Sequence, residues 1–281
     1  MRGAGLLKPL MYEPIRNLIR LAGDRSYRRF CWYNSRYGWT PRYSARIINL
    51  HGNEFIAPDM ASFISSYQSI FVEEIYAFRC GTPAPLILDC GANIGLSCIY
   101  FKQLFPDCRI IAYEADSLIF DLLRQNMANF DMEGVDLLNR AITGHSGTVS
   151  FRSDGADGGC VAPGDLGAGL QQIPSVSLKE ILAERCFDFV KLDIEGAEAE
   201  ALVDCTGLFN SAVGVFVEFH SFAERPQALG LLLDMFERNG FRIHAHPEYT
   251  VKSPFLGIAP DGGMDMRLNL FFYRSAGGTG W

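Results

Sequence analysis

The sequence lacks any run of about 18 apolar residues, so no segment reads as a membrane-spanning helix. It has no Cys-x-x-Cys pair. Its eight cysteines fall singly, several inside apolar runs, and read as buried free thiols of a reducing compartment. No Gly-Lys-Ser/Thr follows a glycine-rich loop, which removes the Walker phosphate loop, and the dinucleotide fingerprint G-x-G-x-x-G is also missing. After Met1-Arg2 the apolar stretch is broken by Lys8, Pro9, Glu13 and Pro14, so no signal peptide is evident and a cytoplasmic location is the expectation. Basic residues are scarce beyond residue 46: 15 remain there against 30 acidic ones, which weighs against a nucleic-acid partner.

What is present is a globular composition. The 281 residues are 48% hydrophobic and 20% charged, enough for a large core without disulfides or a structural metal. Residues 1–46 hold ten Lys/Arg and two acids, a basic and aromatic front end on an acidic body. This segment suits a solvated helical face, or a surface that meets an acidic substrate or a membrane.

Residues 47–56 read as a hairpin around His51-Gly52-Asn53-Glu54. Asp59 is placed to cap a helix running to about Phe78. Cys80-Gly81-Thr82-Pro83-Ala84-Pro85 then breaks the chain. The expected division is a basic helical and hairpin extension over 1–80, acting as substrate cap or oligomer contact, and a second domain over 81–281. From Leu86 strands and helices alternate: strands at 86–89, 109–114, 135–139, 187–192 and 214–219, with helices at about 95–105 and 117–129. Gly144-His145-Ser146-Gly147 reads as a turn between β segments, and a helix over 224–239 and two final strands joined by a loop follow. This pattern predicts an α/β fold, a mostly parallel sheet with helices on both faces and an antiparallel edge. Residues 153–172 are rich in Gly, Asp and Ala and read as a surface loop, a candidate lid.

In such a sheet, ligands bind at the carboxyl ends of the strands. Asp89 ends the first strand, and Gly91 and Gly95 flank a sharp turn, through Ala92 and Asn93, into a helix. Glu114 ends the second strand, 23 residues after Gly91, where a carboxylate can accept from both ribose hydroxyls. Ala115 follows it, and Ala141, just past the third strand, is placed with the same group. Strand, turn, helix, strand and acid point to a cofactor containing adenosine. The missing phosphate motifs favour one without phosphates, S-adenosylmethionine.

The stretches Ile87-Leu88-Asp89-Cys90-Gly91-Ala92-Asn93-Ile94-Gly95, Ile111-Ala112-Tyr113-Glu114-Ala115 and Phe189-Val190-Lys191-Leu192-Asp193-Ile194-Glu195-Gly196-Ala197-Glu198 resemble the FkbM family of S-adenosylmethionine-dependent methyltransferases. The resemblance covers about residues 45–274, and the third stretch is its specific part. Ser175-Val176-Ser177-Leu178-Lys179-Glu180 stands where the family has a Thr-Leu-Asp type segment; Lys179 departs from it, at a position given no catalytic role. The resemblance implies a seven-stranded class I methyltransferase Rossmann-like fold. It also implies O-methylation of a sugar, polyketide or related natural product, hence a small-molecule or glycosyl substrate.

Methyl transfer to an alcohol needs alignment and help with the hydroxyl proton. Asp193 at the end of the fourth strand, Glu195 beyond it, and Glu218 and His220 at the end of the fifth are the catalytic candidates; Asp193 also borders the cofactor. Glu218 and His220 have strand spacing and point the same way. In one reading His220 is the base, its ring oriented by Glu218 or Asp193. In another, Asp193, Glu218 and His220 hold a divalent cation, although this set is no specific metal signature. A positioning role is the third. Glu198 reads as a partner of a helix dipole. The alternatives kept for the whole chain are a nitrogen or RNA acceptor, a nicotinamide-dependent oxidoreductase and an inactive binding protein. No Asn-Pro-Pro-Tyr type motif of amino-methylation appears. A homo-oligomer is compatible with everything above. Acceptor specificity is expected in residues 1–85, 153–172 and 247–265.

Overall fold

The computed structural model describes residues 16–153, 155, 159–161, 170–249, 252–257 and 263–274. Residues 16–23 are helical, and helix α1 follows at Arg25–Tyr37 with Asp24 as N-cap, its carboxylate accepting from the Tyr27 N–H at 2.9 Å. Strands β1 (Arg46–Leu50) and β2 (Asn53–Ala57) form the expected hairpin, with His51 and Gly52 both at positive φ in its two-residue turn. Asp59 caps helix α2 (Met60–Tyr67), accepting from Ser62. The helix is shorter than the sequence suggested. It widens into a π-helical turn over Gln68–Val72 and stops at Glu74, whose φ of 54° is left-handed. Tyr76 is thereby turned inward against Phe101 and Phe216.

The main sheet contains β3 (Leu86–Cys90), β4 (Arg109–Glu114), β5 (Val135–Asn139), β10 (Phe189–Leu192), β11 (Gly214–Phe222), β12 (Arg242–Pro247) and β13 (Met264–Tyr273). Their spatial order is β12-β13-β11-β10-β3-β4-β5. All run parallel except β13, which pairs antiparallel with both neighbours one strand in from the edge. Helices α3 (Leu96–Leu104), α4 (Ser117–Asn129), α5 (Leu178–Glu184), α6 (Glu198–Leu202) and α7 (Leu229–Arg238) complete the pattern. Helix α7 begins five residues later than expected, because Pro226 disfavours helical backbone at Arg225.

Central strands bury both faces, which is why their sequences are short apolar runs. Alternate residues feed two cores: Ile87 and Phe189 join one, Leu88 and Val190 the other. The first core also contains Tyr33, Phe55, Phe63 and Tyr67, so apolar packing is continuous across residue 80, where the division between extension and domain was drawn.

Of a second sheet the sequence marked the turn at 144–147 between two β segments and nothing more. Strands β6 (Ala141–Thr143), β7 (Gly147–Arg152), β8 (Cys160–Val161) and β9 (Leu170–Ser177) form it in the order β6-β9-β7-β8. It takes in residues 160–161 and 170–172 of the stretch expected to be a loop at 153–172. Residues 154, 156–158 and 162–169 of that stretch lie outside the described residues, as do parts of 247–265, residues 1–15 and the tail beyond 274.

One side chain ties the hairpin to the sheet. Asn126 on α4 is fully buried, accepts from the Ile56 N–H at 2.8 Å, and donates to Ile56 O and to Ile94 O at 3.1 and 3.0 Å. Asn126→Ala strands these backbone groups in the core and is expected to cost about 2–4 kcal/mol. Urea unfolding measures it; a loss below about 0.5 kcal/mol contradicts this role.

Candidate functional site

The strand order reverses at β3: β4 and β5 extend to one side, β10 and β11 to the other. The crevice beyond the carboxyl ends of β3 and β10 is therefore the expected ligand site. The β3–β10 register sets Lys191 directly opposite Asp89. Lys191 Nζ lies 3.4 Å from Asp89 Oδ1 and 3.3 Å from Asp193 Oδ2, and donates to the Gly91 carbonyl at 2.7 Å. The ammonium is buried and stands over the Tyr76 ring. Burial pulls its pKa down, but Asp193 and Asp89 more than offset that and hold it well above the ordinary lysine value. Asp89 Oδ2 also accepts from Ser97 Oγ at 2.5 Å.

The turn is fixed from the other side by β4. The N–H groups of Gly91 and Ala92 both donate to Tyr113 O at 2.9 Å. Glu114 follows, its two oxygens accepting one N–H each, from Asn93 at 2.9 Å and Asp116 at 2.8 Å. Lone pairs on both oxygens remain for other donors. Burial pushes the Glu114 carboxyl up to about 7, although those two N–H groups pull the other way.

A cavity of about 480 Å³ begins at this turn. Gly91, Ala92, Asn93, Glu114, Ala115 and Ala141 line one end. Asp193, Glu195, Glu218 and Arg267 line the other, with α2 supplying Ser62, Ser65 and Ser66 as a wall. Asp89 and Gly95, grouped with the cofactor residues in the sequence, lie behind the turn and support it. His220 also stands back from the cavity, its side chain wholly buried. Its Nδ1 is 3.0 Å from Glu198 Oε1, and its Nε2 is 3.5 Å from Glu195 Oε2 and 3.6 Å from Glu218 Oε1. The group that orients the ring is Glu198, which the sequence reading treated as a dipole partner. Its carboxylate also accepts from the N–H groups of Ile194 and Gly196, shaping the turn after β10. Burial pulls the imidazole down, and Glu198, Glu218 and Glu195 outweigh it to hold it well above 6.5. Burial, with Asp193 and Glu218 adding to it, pushes Glu195 up to about 9 against the pull of His220.

Two parts of the site were missed. Lys191 had a signal: a lysine inside a strand buried on both faces must have a partner. Glu198 had only its place in the Phe189-to-Glu198 stretch, because its partner lies 22 residues further along the chain.

A doubly wound sheet with a glycine turn, a carboxylate ending the next strand and an acidic far end defines a nucleoside-cofactor enzyme fold. A family model, described as a methyltransferase FkbM domain, matches residues 89–243. The chain belongs to the FkbM methyltransferase family, and its seven-stranded sheet is the class I methyltransferase arrangement. It is 30% identical over 138 residues to methyltransferase sdnD of Sordaria araneosa, a match covering 48% of this chain and 52% of that protein. It is 34% identical over 86 residues to the AMB antimetabolite synthetase AmbE of Pseudomonas aeruginosa, covering 30% of this chain and 4% of that one. The crystal structure of methyltransferase FkbM from Methylobacillus flagellatus KT superposes with a TM-score of 0.46 at 17% identity, covering 76% of this chain and 53% of that one. The chain thus spans about half the length of the Sordaria relative and a small part of the Pseudomonas one.

The two glycines of the turn separate in a test. Both have positive φ, 84° at Gly91 and 96° at Gly95, a strain of about 1–2 kcal/mol for an L side chain. A Cβ on Gly91 would fall 1.8 Å from the Asp193 carbonyl oxygen, which is backbone. On Gly95 it would meet Met127 Cε at 2.5 Å, the end of a flexible side chain. Gly91→Ala should therefore lower the thermal midpoint clearly more than Gly95→Ala. Equal losses in a melting experiment contradict this account of the turn.

Proposed function

We propose that the protein is an S-adenosylmethionine-dependent O-methyltransferase acting on a hydroxyl of a sugar, polyketide or related natural product. The observation that carries this reading is the single cavity joining the glycine turn and Glu114 to Asp193, Glu195 and Glu218. Its volume suits a small-molecule cofactor. The free lone pairs of Glu114 suit a ribose diol, and Gly91, Ala92 and Asn93 line the cavity beside it. S-adenosylmethionine supplies the methyl group on a sulfonium leaving group. The chain must hold the acceptor oxygen in line with it and exclude water. Asp193 and Glu218 accept from the acceptor hydroxyl, and its proton passes into the cluster they form with His220, beside Glu195, which burial holds in its protonated form. Glu198 fixes the ring from behind. The serines of α2 and Arg42 form the acceptor-side wall, which makes the N-terminal extension a substrate cap.

Similarity to a segment of a protein named an antimetabolite synthetase supports a small-molecule acceptor. No described helix is long and apolar enough to cross a membrane. The eight cysteines are free thiols, which supports a reducing, cytoplasmic setting.

Calorimetric titration with S-adenosylmethionine and S-adenosylhomocysteine tests the cofactor, and mass-shift screening of sugar and polyketide alcohols tests the acceptor. No binding of either cofactor form overturns the reading. Glu114 adds a pH signature. Its carboxylate, not its acid form, accepts from two hydroxyls, so binding should strengthen from about pH 6 to about pH 8 as the group ionises. The same shift works against the free protein: a carboxyl raised above its unfolded value favours the fold below that value, and the contribution is lost as pH rises through about 7. Glu114→Gln should weaken binding by about 10–100-fold and flatten the pH dependence. A pH-independent wild-type affinity contradicts the assignment.

A further inference from the structure

We propose that Asp193, Glu195 and His220 form a binding site for a divalent first-row transition ion at the acceptor end of the cavity. One ligand atom from each of the three lies within 4.8 Å of the others. Donors about 2.0–2.2 Å from one metal are separated by roughly 3–4 Å, so side-chain rotations alone close the set.

The independent observation is the imidazole. His220 Nε2 is buried and has no hydrogen-bond partner. It is aimed at Glu195 and held there from behind, because Nδ1 is engaged by the buried Glu198 carboxylate at 3.0 Å. With its proton on Nδ1 and bonded to Glu198, the ring presents the Nε2 lone pair to the three-residue set. This is how a carboxylate prepares a histidine to bind a metal. Glu198 is itself fixed by the N–H groups of Ile194 and Gly196, so the ring cannot turn freely.

Charge points the same way. Asp193, Glu195, Glu198 and Glu218 converge, and the cations within reach are Lys191, at 3.3 Å from Asp193, and Arg267, at 3.5 Å from Glu218. A bound cation takes the place of the protons that otherwise let these carboxyl groups sit together. Glu218 is left out of the ligand set because its nearer oxygen is paired with Arg267. This differs from the set considered in the sequence, where Glu218 stood in the place of Glu195. One imidazole nitrogen with two carboxylates suits Mn²⁺, Fe²⁺, Co²⁺ or Zn²⁺ better than Ca²⁺.

The use of the ion rests on the proposed methyltransferase reading; the binding does not. An ion held by Asp193, Glu195 and His220 would acidify an acceptor hydroxyl, Glu218 would take its proton, and the oxygen would displace the sulfonium sulfur from the methyl carbon.

The experiment is a Mn²⁺ titration of the chelator-treated full chain, followed by electron paramagnetic resonance. The free-ion signal should fall with one ion bound per chain, and pulsed measurements should show coupling to one imidazole nitrogen. Asp193→Asn and His220→Asn should lose binding, and Glu198→Gln should weaken it about 10–100-fold. The nitrogen coupling is read on the unmodified protein, so it stands even where a variant fails to fold. A free-ion signal unchanged by the protein, or bound Mn²⁺ without nitrogen coupling, overturns the proposal. Methyl transfer that persists under chelation, in a protein that binds no Mn²⁺, removes the metal and leaves the methyltransferase. Mn²⁺ binding with no affinity for either cofactor form does the reverse.

Discussion

The site depends on one buried ammonium. Lys191 sits in a strand whose neighbours are apolar on both faces, and its charge is matched by Asp89 on the adjacent strand and Asp193 at its own strand's end. Taking such a charge out of water costs several kcal/mol, which good geometry and added hydrogen bonds offset. Lys191 also donates to Gly91 O, so the same group that satisfies the two acids pins the glycine turn. The tails of β3 and β10 are in this way locked together, and both ends of the cavity are referred to one point.

From there the site is built in layers. Tyr113 O and Glu114 hold the turn from the β4 side, leaving the Glu114 carboxylate at the cavity wall. On the far side Glu198 and His220 stand behind Glu195 and Glu218, so the residues facing the cavity are carboxylates and the group that organises them is an imidazole. On the proposed reading, one end takes the nucleoside and the other manages the proton of an alcohol acceptor. The N-terminal extension, packed into the same core as Ile87 and Phe101, closes the cavity with α2.

Much of this was legible in the chain. Short apolar runs marked the parallel strands because burial on both faces leaves no polar alternation. Asp59 announced α2, and the spacing from Gly91 to Glu114 marked the two strand ends correctly. The second sheet was legible only at the turn between β6 and β7: β7 and β9 are half-exposed strands with Gly, Ser and Gln between their apolar positions, and most of that stretch reads as loop. The full length of the helix after Asp59 was overestimated because its apolar spacing continues through Ile75 while the backbone turns at Glu74. Glu198 does stand in the first turn of α6, but its second role was hidden for a related reason. An acid at a helix start has a sufficient local explanation, and its bond to His220 exists only once β11 lies beside the turn.

The most direct test of the central claim is the affinity of Lys191→Met for S-adenosylhomocysteine, measured by calorimetry well below the variant's unfolding midpoint. Methionine keeps the stem and removes the charge, leaving Asp89 buried without its counter-ion. The account predicts a folded protein whose affinity has fallen by about 100-fold or more, as expected when one partner of a buried pair is lost. An affinity equal to that of the unmodified protein would contradict it.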